Sequence, residues 1–86
     1  AGEDVMEHLT RRWVEKASRH YRTTKVDPGG WVADVVGIEG AWAEGRTRRE
    51  ALANLPSVLD AWVRMKLEDG DEDIPPMDGT KLVVEA

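Results

Sequence analysis

The stretch Asp27-Pro28-Gly29-Gly30-Trp31-Val32-Ala33-Asp34-Val35-Val36 decides the fold. Proline presets one backbone dihedral and the glycines accept positive φ, so residues 27–30 read as a tight turn. Trp31 to Val36 reads as a strand. Tyr21 to Val26, on the other side of the turn, carries threonines and alternating polar positions and reads as its partner. The short gap makes the two a hairpin. Gly37-Ile38-Glu39-Gly40 is a second tight connection. It leads to a short third strand, Ala41-Trp42-Ala43-Glu44, which ends at Gly45. A three-stranded antiparallel meander is the expected centre of the molecule.

Helical patterns flank it. Thr47-Arg48-Arg49-Glu50 matches a capping box, in which the threonine hydroxyl accepts from the N–H three residues on and the glutamate reaches back. The helix that follows places Ala51, Leu52, Leu55, Val58, Leu59, Trp62 and Val63 on one face. Pro56 falls inside it and is expected to kink or split it, and Gly70 is the expected stop. Upstream, residues 3–19 form an amphipathic helix: Val5, Leu9, Trp13 and Ala17 recur every four positions, and Met6 and Val14 widen the stripe. Glu3 and Asp4 in its first turn and Arg19 and His20 near its end suit the helix dipole. Residues 68–79 read as a loop with five acids before Ile74 and then Pro75-Pro76. Thr80 to Glu85 reads as a last strand, with Leu82 and Val84 on one face. The expectation is one α+β domain over residues 1–86. Its β-β-β-α-β core spans 21–85, with a helix packed on one face of a small mixed sheet and an extra N-terminal helix at 3–19.

Length and composition bound the function. A chain of 86 residues makes one domain and buries only about 60% of the surface its unfolded form exposes. Four tryptophans supply much of the apolar bulk, because phenylalanine is absent. So small a core favours self-association, and a homodimer or higher homo-oligomer is expected. The absence of cysteine excludes disulfides and thiolate metal sites and fits a reducing, cytoplasmic setting. No apolar run reaches the ~18 residues of a membrane span, and no apolar signal segment opens the chain. Arginine outnumbers lysine, glutamine is missing and Asn54 is the only asparagine, a usage that hints at a thermophilic source. The net charge of −5 is uneven. Residues 1–66 carry eleven Lys/Arg against ten Asp/Glu, whereas residues 67–86 carry one against seven. The body is near neutral and the last fifth acidic, unlike a dedicated nucleic-acid binder.

Several of these features recur together in one known family. Asp27 and Gly30 bracket the hairpin turn before Trp31-Val32-Ala33-Asp34-Val35, an aromatic-x-Ala-acid-hydrophobic strand. Gly40 closes the next turn, with Ile38 two residues before it. Gly45-Arg46-Thr47-Arg48-Arg49-Glu50-Ala51-Leu52-Ala53-Asn54-Leu55 follows, and Asp69-Gly70-Asp71-Glu72-Asp73-Ile74-Pro75 leaves the helix. In this order and spacing, residues 22–63 resemble the HicB family of antitoxins. The resemblance implies a partial ribonuclease H-like fold whose last strand lies parallel beside the first. It also implies a partner, a small basic toxin of the HicA type that cleaves messenger RNA. Val36 and Glu39 replace both prolines of the family's turn, and Arg46 replaces its aspartate. The family usually begins at its first strand, so the helix at 3–19 is an addition, with two open roles: capping the sheet or exchanging between subunits. Many members carry a C-terminal DNA-binding segment. None is expected here, so promoter binding is not expected either.

The chemistry of single residues points the same way. A ribonuclease H-type centre needs clustered carboxylates for two metal ions. Its candidates Asp27, Asp34 and Glu50 are better explained by a turn, a strand and a helix cap. His8 and His20 have no ligand-spaced companion and read as surface histidines. No catalytic residue, cofactor or metal site is therefore expected. Partner-binding candidates are Trp42, as an interface anchor; Arg46, Arg48 and Arg49, as a basic cluster at a helix start; and Asp71, Glu72 and Asp73, as an acidic run that complements a basic toxin. Each has a plainer reading, with tryptophan as core and the charges as solvated surface. The expected function is an antitoxin-like protein that binds and occludes a HicA-type toxin. The alternative is a standalone homo-oligomeric interaction domain with no toxin partner.

Overall fold

The computed structural model describes residues 2–70 and 74–82, with side chains from Val5 onward. Helix α1 (Gly2–Ser18) precedes strands β1 (Tyr21–Val26), β2 (Gly30–Val35) and β3 (Trp42–Gly45), and helix α2 (Arg48–Glu68) follows. The strands form an antiparallel meander in the order β1-β2-β3. Val26 opposes Gly30 at the first hairpin, where the Gly29 N–H donates to the Val26 carbonyl at 3.1 Å and the Asp27–Pro28 peptide is cis. In the second pair Trp31 opposes Gly45, Ala33 opposes Ala43 and Asp34 opposes Trp42. The connection between β2 and β3 tucks Ile38 and Ala41 into the core.

Strand side chains alternate between faces, and here the odd-numbered ones meet the helix. Ala33, Val35 and Ala43 are buried there; two alanines on neighbouring strands let α2 come close. The helix lays Ala51, Leu55, Leu59 and Val63 on them, a four-residue spacing that keeps all four on one side. Thr47 caps its start, with Oγ1 accepting from the Glu50 N–H at 3.1 Å. Glu50 reaches back past the cap: its Oε1 accepts from the Arg46 N–H at 3.4 Å. Asn54 Nδ2 donates to the Glu44 carbonyl at 3.0 Å and so covers part of the outer edge of β3.

Helix α2 is not split at Pro56, contrary to one of the two expected outcomes. The proline ring is exposed while its neighbours Leu55 and Leu59 are buried, so packing on both sides outweighs one missing hydrogen bond. The end is as the sequence predicts. The Asp69 N–H donates to the Met65 carbonyl at 3.0 Å and the Gly70 N–H to that of Leu67 at 3.2 Å.

Helix α1 packs chiefly on α2. Trp13 is fully buried and stacks on Trp62, ring centroids 6.0 Å apart and 18° from parallel. Its indole N–H donates to the Pro75 carbonyl at 2.8 Å. The stripe Trp13, Val14, Ala17 thus meets an apolar face that α2 and residues 74–82 build jointly, with Ile74, Met77 and Leu82 buried in it. Polar ties hold this segment to α1. Lys16 Nζ donates to Thr80 Oγ1 at 2.7 Å and to the Asp78 carbonyl at 3.2 Å, and His20 Nε2 lies 2.8 Å from Asp78 Oδ1. At the far end Arg64 grips Glu7 through two contacts of 2.6 and 3.1 Å.

The last strand needs correction over its described part. Thr80 pairs with Met77 in an isolated two-residue bridge around Asp78-Gly79, and residues 81–82 join no strand. The lysine and histidine contacts fasten 78–80 to α1, which takes this stretch into the helical layer. Residues 83–85 of that expected strand lie outside the described residues. Among the described residues no helix is long and apolar enough to cross a membrane.

Candidate protein-docking surface

The even-numbered strand residues form the other face of the sheet, and no described element packs on it. Across the strands it reads as rows: Arg22, Asp34, Trp42; then Thr24, Val32, Glu44; then Val26, Gly30. Val36 extends it beyond β2. Three of the exposed large apolar side chains sit here, Val26, Val36 and Trp42, the last 54% exposed. A tryptophan in water on a bare sheet is an apolar anchor without a partner.

Beside it lies a fixed pair of charges. Arg22 Nε donates to Asp34 Oδ1 at 3.0 Å and Nη2 to Oδ2 at 2.7 Å, a bidentate fork. These hydrogen bonds hold the Asp34 carboxyl below the usual carboxylate range and push the Arg22 guanidinium up. Both charges are thus oriented before any partner arrives. Arg22 also borders a groove of about 740 Å³ walled by Ile38, Trp62, Ile74 and Pro75.

The residues expected to bind a partner divide among three places. Trp42 lies on the bare face at its β3 edge, sharing a hollow with Asn54 and Val58 of α2. Arg46, in the turn after β3, borders it, sharing a shallow hollow with Val26, Val32 and Glu44. Arg48 is on the helix side, where its guanidinium lies 5.5 Å from the Tyr21 ring centre and donates to Tyr21 Oη at 3.1 Å and Thr23 Oγ1 at 3.2 Å. Arg49 stays exposed in the first turn of α2. The basic cluster of the sequence is therefore not one site, because a helix start turns successive side chains about 100° apart. Asp71, Glu72 and Asp73 lie outside the described residues. Sequence reading missed Arg22 and Val32 as site residues and weighed Asp34 only as a metal ligand; the signal was the even-numbered alternation of β2.

The three acids of a two-metal centre do not converge. Asp27 is in the hairpin turn, Asp34 is held by Arg22 on the bare face, and Glu50 caps α2. Among the described residues no group of acids and histidines is placed to hold a metal ion.

Comparison with known proteins places the chain. In solved structures it is similar to TTHA0281 from Thermus thermophilus, with a TM-score of 0.76 and 24% identity over 91% of this chain and 96% of that one. That likeness concerns the fold alone. In sequence it is 30% identical over 63 residues to the UPF0150 protein Ta0767 of Thermoplasma acidophilum, covering 73% of this chain and 90% of the relative. The UPF0150-like family model matches residues 12–75, from the middle of α1 to the Pro75 that Trp13 holds, and the chain belongs to that family.

Proposed function

We propose that the chain is an antitoxin-type docking protein, which binds a small basic RNA-cleaving toxin of the HicA kind and blocks its cleaving surface by occlusion. The observation that carries this reading is the bare sheet face, where exposed Trp42 stands beside the pre-oriented Arg22–Asp34 pair. An exposed indole flanked by ordered polar groups is how protein interfaces place their energetic centres. The HicB resemblance over residues 22–63 supports it, as do Glu44 on the same face and the acidic residues 68–73, which complement a basic partner and speed its approach. Its action is binding, and Asp34 and Glu50 serve structural contacts.

The test is titration calorimetry of the chain with the product of a small basic reading frame adjacent to its gene. Association at micromolar concentration that Trp42→Ala weakens at least tenfold is expected. No association, or association indifferent to Trp42, overturns the reading.

A second reading rests on the same face. Val26, Val36 and Trp42 with one charge of each sign suit a second copy of the chain as well as a foreign protein. Sedimentation that finds a dimer lost in Trp42→Ala, with no basic neighbour gene, favours this homo-oligomeric domain.

A further inference from the structure

The net charge of the chain conceals how the structure distributes it. Five basic or titratable groups, His8, Arg11, Arg12, Lys16 and Arg19, line one shallow hollow of about 450 Å³ on the outward side of α1, with Glu15 among them. All but the half-buried Lys16 are exposed. This face is remote in kind from the bare sheet: it belongs to the helical layer, and no apolar side chain lines the hollow.

Three arginines elsewhere in the fold have side-chain partners. Arg22 is forked on Asp34, Arg48 is laid over Tyr21, and Arg64 is shared by Glu7 and Asp60. By contrast, Arg12 and Arg19 make no hydrogen bond or ion pair through their side chains among the described residues. Arg11 is near Glu7, whose carboxylate Arg64 already holds. Among the described residues the facing acids are few. Glu15 lies within the hollow, Glu7 is engaged at one end, and Asp78 is engaged by His20 at the other.

We propose that this face of α1 binds the phosphodiester backbone of a nucleic-acid strand. From Arg11 to Arg19 the helix rises about 12 Å. A strand carrying one charge per ~3.4 Å of axis presents three or four phosphates over that length, facing the three exposed guanidiniums of Arg11, Arg12 and Arg19, since Lys16 is held by Thr80 and the Asp78 carbonyl. Guanidinium groups suit phosphate because they donate through two N–H groups at once. The contacts are to the backbone, so the surface has affinity without base specificity. The acidic last fifth of the chain keeps that affinity modest. This site is independent of the toxin-docking face.

The experiment is fluorescence anisotropy of the intact chain with labelled oligouridylate, oligothymidylate and a mixed-sequence DNA duplex at low salt. Binding with a dissociation constant under about 100 µM is expected, with log K falling against log salt at a slope of about −2 to −3 for single strands. Arg12→Ala/Arg19→Ala should weaken it at least tenfold. Glu15→Gln should tighten it, and Lys25→Ala, an exposed change on β1, should leave it unchanged. These are surface changes, and an unaltered thermal transition by circular dichroism confirms that each variant folds. Preference between the RNA and DNA strands identifies the source of the phosphates, and either result supports the site. No anisotropy change, a change that Arg12→Ala/Arg19→Ala leaves intact, or equal competition by polyglutamate of the same charge overturns it; the last outcome would assign the face to an acidic protein.

Discussion

Gly45 and Ala51 approach so closely that the space a Cβ would need at Gly45 is already occupied by the Ala51 backbone nitrogen and the Glu50 carbonyl carbon. The first turn of α2 therefore rests directly on the end of β3, and backbone atoms cannot swing aside as a long side chain does. Gly45→Ala should destabilise the fold by about 1–3 kcal/mol, the cost of forcing an extra carbon into a packed site. Gly30→Ala is the contrast, because its added Cβ meets nothing closer than 3.4 Å. Urea unfolding of both variants checks this; equal midpoints would show that α2 can shift.

The hydrogen bond from Asn54 to the Glu44 carbonyl makes a second, weaker tie between the same elements. Both partners are exposed, so water replaces much of what Asn54→Ala removes. A loss of about 0.5–1 kcal/mol is expected by urea unfolding. The larger consequence is at the strand edge, which loses its cover and becomes open to pairing. Light scattering should show faster aggregation of Asn54→Ala than of the parent chain on heating, and identical rates would mean that Asn54 does not guard β3.

The meander and α2 were legible because each is specified locally. Asp27-Pro28-Gly29-Gly30 sets the hairpin, and Thr47 with Glu50 sets the helix start. The first strand has the bounds expected, and those of the second and third differ by a residue. What stayed illegible depends on contacts made across the chain. Trp13 and Pro75 are 62 residues apart, and nothing local announces that an N-terminal helix will pack on α2 and hold the chain's later segment. The same ties drew Thr80 towards α1, where alternation alone predicted a strand. The site was half legible. Trp42 was visible as a candidate, but the division of Arg46 from Arg48 required knowing that the helix start turns Arg48 towards Tyr21.

Acid should act on the Arg22–Asp34 fork. Hydrogen bonds from Arg22 lower the Asp34 carboxyl below its ordinary value, so the folded chain binds this proton less readily than the unfolded one. The pair's contribution is then complete above the ordinary carboxylate range, about pH 4, and is lost as pH falls through the lower folded value. Glu7 follows the same rule through Arg64. Carboxyl NMR of the parent chain should place the Asp34 inflection lower than in Arg22→Met. Coincident inflections would remove the pair as a fixed feature of the docking face.

Trp13 and Trp42 put the two layers to the same test. Trp13 is wholly buried, stacked on Trp62 and bonded to Pro75, so Trp13→Ala opens a cavity and frees an acceptor. About 3–5 kcal/mol is expected, enough to unfold so small a domain. Trp13→Phe keeps most of the volume and reports the indole bond, at about 1–2 kcal/mol. Trp42 stands on a face with no described element above it, so Trp42→Ala should move stability by no more than about 0.5 kcal/mol at a protein concentration where the chain is monomeric. Urea titrations followed by far-ultraviolet circular dichroism, which does not depend on the tryptophan removed, measure all three. Were Trp42→Ala to cost as much as Trp13→Ala, the indole would be serving the fold, and the bare sheet would lose its claim to be kept for a partner.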